Sequence, residues 1–198
     1  MKQDVIRSSL IDATVRVVSR EGLDKATTKR LAQEAGLNEV YIYRSFDSKE
    51  DLFVKTFEAL DRELIDKVLE HLPIMSMTQL PIEDRCRMFF MAVWKFLLRN
   101  SQKCLCFIRY YYSPYFKQYS AVGHRRAFRP LIEQFAPAFR QGANTWLLLN
   151  HILDAMLSSA VKVFDGEMPD DQQTAGYVFD LVYCSLELQL SWKQKAKQ

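Results

Sequence analysis

The stretch that decides the fold is TKRLAQEAGLNEVYIY, residues 28–43. Leu31 and Ile42 supply apolar contacts for two short helices, one on each side of Gly36. A chain that turns sharply at Gly36 adopts a left-handed backbone conformation, which glycine accepts because it has no Cβ atom. Asn38 follows as a candidate helix cap, since its side-chain oxygen can accept from an amide of the first turn. The stretch predicts a helix-turn-helix.

Helical patterns continue on both sides of this stretch. An apolar stripe with helical spacing precedes it, formed by Ile6, Leu10, Ala13 and Val17. Gly22 is placed to end this first helix, and Ser48 resembles the start of a capping box for a long fourth helix that Pro73 stops. The last two predicted helices cover about residues 143–165 and 170–194. Since no strand-type alternation competes, the sequence predicts an all-α protein.

Composition narrows the class of protein and of site. The chain has 198 residues, 48% of them hydrophobic, which is enough to bury helical cores without disulfides or metal. The spacing of its four cysteines and three histidines is not that of a zinc site, so we expect no metal and no cofactor. We recognise no signal peptide and no membrane-spanning run, which predicts a cytoplasmic protein without a membrane partner. A net charge of +3 is only weakly basic, so DNA binding must be argued from motif spacing.

Residues 6–55, taken together, resemble the DNA-binding domain of the tetracycline-repressor (TetR) family. The resemblance rests on REG at 20–22 before a threonine pair, LAQEAGL at 31–37, YRSF at 43–46 and SKEDL at 48–52. It implies a three-helix head at residues 1–49 that binds DNA. It also implies that the long fourth helix joins this head to a helical ligand-binding and dimerisation core, residues 50–198.

The resemblance further implies which residues meet DNA. Positions that commonly hold phosphates match Thr28, Tyr43 and Lys49. Positions that face the major groove match Lys29, Asn38, Glu39, Val40 and Tyr41. Lysine suits guanine, asparagine suits adenine, and glutamate can accept from cytosine N4. The family commonly has a basic residue, glycine and threonine at positions 39–41, so the departure here leaves the operator sequence open. Packing is the alternative role for Tyr43, and it is the role expected for Phe46.

Aromatic residues are concentrated between positions 89 and 116, beyond what one helix face needs for a core. Tyrosine and tryptophan combine an apolar body with a polar group, which suits a pocket for an apolar or aromatic ligand. Further along the chain, His151 and Asp154 share a helix face and could orient a ligand or bond each other. The candidate pocket residues are Phe90, Trp94, Phe107, Tyr110, Tyr111, Tyr115, His151 and Asp154. Core packing is the alternative for each aromatic residue.

The last two helices are expected to form a four-helix bundle with their copies in a second subunit. The residues expected across its two-fold axis are Leu181, Val182, Leu186 and Leu190. The predicted function is repression from a palindromic operator, relieved when a small apolar or aromatic ligand binds the core. Two alternatives stay open: a helical interaction module that does not bind DNA, and an enzyme that uses the aromatic cavity. An enzyme is not expected, because the sequence has no phosphate-binding glycine loop, nucleophile elbow or clustered carboxylate pair.

Overall fold

The computed structural model describes residues 3–191, and within them it is helical and contains no strand. The α-helices of this part of the chain are α1 Gln3–Glu21, α2 Thr28–Glu34, α3 Val40–Ser45, α4 Lys49–His71, α5 Ile82–Arg99, α6 Ser101–Tyr111, α7 Ala121–Ala127, α8 Arg129–Phe135, α9 Thr145–Phe164 and α10 Gln172–Leu186. A π-helical turn occupies Phe116–Ser120, and 3-10 turns occupy Leu72–Ser76, Ala136–Ala138 and Glu187–Gln189. The predicted all-α class is confirmed.

Glycine and proline set several helix ends as predicted. Gly22 follows α1 with φ 85° and Gly36 lies beyond α2 with φ 66°, both in the left-handed region. Pro73 lies in the 3-10 turn directly after α4. Pro130 occupies the first turn of α8, where its missing amide hydrogen costs nothing.

The helices pack into two units. The first contains residues 3–64 and 100–127, and the second contains residues 65–99 and 128–191. In the first unit α1 packs against α2, α3 and α6. In the second unit α5, α9 and α10 pack against one another. This division follows packing and does not test the functional boundary predicted at residue 49, which stays a prediction.

A buried pair of polar side chains lies in the core of the first unit. His124 of α7 donates from Nδ1 to Asp61 of α4, at 3.0 Å from both carboxylate oxygens. Four aromatic rings have centroids 5.4–6.4 Å from that of the imidazole: Phe57, Phe107, Tyr111 and Phe116. Burial raises the pKa of the Asp61 carboxyl, and the hydrogen bond from His124 opposes that rise. Because 63 positions separate the two residues, no local sequence pattern marks the pair.

Helix α9 of the second unit is mostly apolar. Its length and composition would allow it to cross a membrane, but core helices of globular proteins meet the same criterion, so this is weak evidence. Only 28% of its most apolar 18-residue stretch is buried within the chain. Part of the apolar surface of α9 is therefore exposed within residues 3–191.

Candidate nucleic-acid interface

Side-chain caps fix the beginnings of α2 and α3. Thr27 caps α2, since its Oγ1 accepts from the amide of Arg30 at 3.2 Å. Asn38 accepts at Oδ1 from the amide of Val40 at 3.0 Å, which is the capping role that the sequence predicted for it. The left-handed Gly36 lies between these two caps. The direction of α3 relative to α2 is thus set by local contacts.

Ion pairs hold α2 against α1. Glu34 at the end of α2 accepts from Arg16 at 2.9 Å, Arg20 at 2.6 Å and Arg30 at 3.0 Å. Glu21 at the end of α1 accepts from Arg30 at 2.7 Å. The hydrogen bond from Arg16, with those from the other two arginines, lowers the pKa of Glu34 to about 2, although burial opposes this. These arginines are therefore engaged within the head.

We expect Glu34→Gln to lower the free energy of unfolding by about 1 kcal/mol, a modest loss because the arginine partners are partly exposed. The Glu34 pKa lies below its ordinary value of 4.5, so its stabilisation is complete above pH 4.5 and is lost as the pH falls towards 2. Urea unfolding at pH 7 and pH 3 measures this, with Glu58→Gln on the exposed side of α4 as the matched control. If the free energy of unfolding fell equally between pH 7 and pH 3 in the wild type and in the Glu34→Gln variant, the prediction would be contradicted.

The residues predicted to meet DNA lie along the start of α2, the turn, α3 and the start of α4. The exposed ones are Lys29, Asn38, Val40 and Tyr43, and the half-buried ones are Thr28, Glu39, Tyr41 and Lys49. Tyr43 is 61% exposed, so it does not fill the core as its alternative role supposed. Phe46 is buried beneath the guanidinium of Arg7, 4.5 Å from its ring centroid, which confirms the packing role predicted for it. Their contacts with DNA stay a prediction.

The residues predicted to line a ligand pocket divide between the two units. The first unit contains Phe107, Tyr110, Tyr111 and Tyr115, and the second contains Phe90, Trp94, His151 and Asp154. In the first, Phe107 and Tyr110 stack on Phe57 with centroids 4.9 and 4.8 Å away. In the second, Phe90 stacks on Trp94 with centroids 6.1 Å apart. These rings pack as a core does, and their role in ligand binding stays a prediction.

A narrow cleft opens in the first unit among α1, α4 and α6. Its lining side chains are Thr14, Val18, Leu23, Phe53, Thr56, Phe57, Leu60, Cys106 and Tyr110. Tyr110 is the one predicted pocket residue among them. Burial raises the pKa of the Cys106 thiol to about 12, so this thiol is not a reactive nucleophile. Within residues 3–191, no cluster of three or more His, Cys, Asp or Glu side chains could hold a metal ion.

The residues predicted for the dimer interface need correction. Leu181 is 73% exposed, but Val182, Leu186 and Leu190 are buried within the second unit and are not available to a partner. Each step along a helix turns the side chain by about 100°, so Val182 faces the core while Leu181 faces outward. The exposed apolar residues of α9, α10 and the turn after it are Leu147, Tyr177, Leu181 and Leu188. We call these four residues the outer apolar face.

Comparisons with known proteins match this helix-turn-helix. A family model described as bacterial regulatory proteins, tetR family, matches residues 10–56. The nucleoid occlusion factor SlmA of Mannheimia succiniciproducens is 31% identical over 72 residues, which are 36% of this chain and 33% of that protein. The HTH-type transcriptional regulator BetI of Yersinia pestis is 27% identical over 139 residues, 67% of this chain and 68% of that one. The chain thus matches about a third of the length of the nucleoid occlusion factor.

The fold likeness extends beyond the head. A tetR family transcription regulator from Shewanella sp. PV-4 has a TM-score of 0.72 at 16% identity, covering 91% of this chain and 97% of that chain. At this identity the likeness establishes the fold alone, and the family itself rests on the matched head. The matched family and its neighbours are transcription regulators and not enzymes. Residues 10–56 of the chain thus match the DNA-binding head of the tetR family of bacterial regulatory proteins, and the described part of the chain has the fold of tetR family transcription regulators.

Proposed function

We propose that the chain is a homodimeric repressor that binds a palindromic operator through α2 and α3 and leaves it when a small apolar or aromatic ligand binds. The observation that carries this proposal is the exposed surface of the helix-turn-helix. Lys29, Val40 and Tyr43 are all exposed there, on short helices whose ends are capped and tied to α1. Ammonium, methyl and phenol groups on a rigid helix pair suit phosphates and base edges of the major groove.

The outer apolar face supports a homodimer. His151 lies one turn after Leu147 on α9, and its Nε2 is 2.8 Å from Oγ of Ser185, one turn after Leu181 on α10. Leu147 of α9 and Leu181 of α10 therefore lie on the same side of the α9–α10 pair. In a two-fold symmetric dimer this face would pack against the same face of the second copy, and the dimer would present two heads to DNA. Half-sites about one DNA turn apart, roughly 34–36 Å, would then form a palindrome.

Control by a ligand rests on the family and on the tyrosines and tryptophan of α5 and α6. A ligand shifts DNA affinity only if it binds more tightly to one arrangement of the two heads than to another. Helix α4 carries Lys49 at its first position and continues to His71 in the regulatory half, so it is the covalent route for such a shift. A regulator that acts on the chromosome works in the cytoplasm, which is the location that the proposal implies.

Selection of binding sites from random duplex DNA tests the proposal, followed by retardation assays with the selected duplex at 50 and 200 mM salt. We expect Lys29→Ala to weaken binding by about tenfold, because a base contact is lost. Lys95→Ala, an exposed lysine of α5 in the second unit, is the matched control and should leave affinity unchanged. A wild-type protein that retards no duplex at low salt would contradict DNA binding and favour the interaction module.

A further inference from the structure

Two residues of the proposed DNA surface are bonded to each other. Thr28 at the first position of α2 donates from Oγ1 to Oε1 of Glu39, which directly precedes α3. Both side chains are half-buried and accessible from solvent. A threonine hydroxyl carries one hydrogen and can donate one hydrogen bond at a time. Thr28 therefore cannot donate to a DNA phosphate while it donates to Glu39.

Charge also opposes a phosphate contact by Thr28 while Glu39 remains nearby. A phosphate that accepts from Thr28 would place its negative charge beside the carboxylate of Glu39, and the two repel. The arginines Arg16 and Arg30 of the head are bonded to Glu34. A hydrogen-bond donor on the DNA that binds the Glu39 carboxylate would relieve this repulsion. In the major groove those donors are the amino groups of cytosine N4 and adenine N6, whereas guanine and thymine present acceptors.

Asn38 is less suited than Glu39 to accept a hydrogen bond from a base amino group. A bidentate contact with adenine needs the side-chain oxygen of Asn38 as an acceptor and its nitrogen as a donor. That oxygen already accepts from the amide of Val40 at 3.0 Å, and turning it towards a base would remove the cap of α3. Glu39 keeps its second carboxylate oxygen for a base without losing a cap.

We propose that Glu39 determines base specificity through Thr28. In the free head its carboxylate holds the Thr28 hydroxyl, and on DNA the hydroxyl transfers to a phosphate only where a cytosine or adenine amino group binds the carboxylate. On a duplex without that amino group, the Thr28 hydroxyl stays bonded to Glu39 and the Glu39 carboxylate repels the phosphate. This inference rests on the proposed DNA-binding function and adds to it the chemical class of one operator base pair in each half-site.

The test compares Glu39→Gln with the wild type in site selection and in affinity for the selected operator and for a mixed-sequence duplex. Glutamine removes the charge and can both donate and accept. We expect tighter binding of the mixed-sequence duplex and a fall of about tenfold in the ratio of the two affinities. The preference for C or A at one position of each half-site should disappear.

Asp12→Asn removes one exposed charge from α1 and should leave the ratio unchanged. An equal effect of Asp12→Asn would show that net charge alone is responsible, which would overturn the inference.

Thr28→Val gives an independent readout. Because the hydroxyl is available only when a base binds Glu39, this variant should weaken operator binding by about fivefold and leave binding of the mixed-sequence duplex unchanged. Equal losses on both duplexes would mean that Thr28 contacts phosphate without reference to Glu39, and the inference would be wrong. A wild type that binds no DNA overturns the proposed function as well. A wild type that selects an operator whose preferences Glu39→Gln leaves intact overturns this inference alone.

Discussion

Replacing Asp61 by alanine is expected to lower the free energy of unfolding by about 3–5 kcal/mol, because the buried imidazole of His124 then loses its carboxylate. The side chains of the pair are 4% and 1% exposed, so bulk water does not reach them in the folded protein. His124→Ala should cost a similar amount, since it removes the same pair and leaves a cavity among four aromatic rings. Urea unfolding of each variant measures these losses.

The double variant Asp61→Ala with His124→Ala shows whether the two residues act as a pair. The free energy of unfolding should fall by less than the sum of the two single losses. The second substitution removes the buried polar group that the first substitution left without its partner. Glu58→Ala on the exposed side of α4 is the control and should change stability by about 0.5 kcal/mol or less. A loss at Asp61 as small as that at Glu58 would contradict the structural importance of the pair.

Replacing Leu181 by aspartate is expected to turn the proposed dimer into a monomer and to weaken operator binding by about a hundredfold or more. A two-fold axis brings each substitution into the interface twice, and an unpaired charge in a covered apolar face is costly. A single head then loses the second half-site, and with it the gain that comes from binding two linked sites. Sedimentation velocity gives the oligomeric state, and retardation of the selected operator gives the affinity.

Val122→Asp is the matched control for the Leu181 variant. Val122 is also an exposed apolar residue, at 76%, but it lies on α7 of the first unit. This control should remain dimeric and bind the operator like the wild type. Both variants should keep wild-type helical circular dichroism, since neither position is buried. A Leu181→Asp protein that stays dimeric would show that the outer apolar face is not the interface.

The head of this protein was predictable from sequence because its signals are local. The helix-turn-helix predicted around Gly36 is present in the structure, and glycines mark the turns after α1 and α2. Such signals depend on a few neighbouring residues, whose backbone geometry and caps are independent of the rest of the chain. Helix α3 begins at Val40, two residues after the predicted cap Asn38. Asn38 nevertheless caps that helix.

The part of the chain after the head was less predictable because apolar residues alone do not show which side a helix buries. Val182 and Leu186 satisfy the pattern of an interface as well as that of a core, and the structure places them in the core. Some of the aromatic residues between positions 89 and 116 were expected to line a pocket, which stays a prediction, and the structure assigns these residues to two packing units. Which rings become neighbours depends on contacts between residues far apart in the chain.

The turn at Gly36, its flanking helices and the family resemblance were determined by the sequence alone, because each follows from residue types at fixed short spacings. Tertiary structure alone decided that Thr28 is bonded to Glu39 and that Asp61 is paired with His124. Those partners lie 11 and 63 positions apart and meet only when helices pack. Packing brings together side chains whose separation along the chain carries no periodic signal, and it thereby sets which donors and acceptors remain available to DNA.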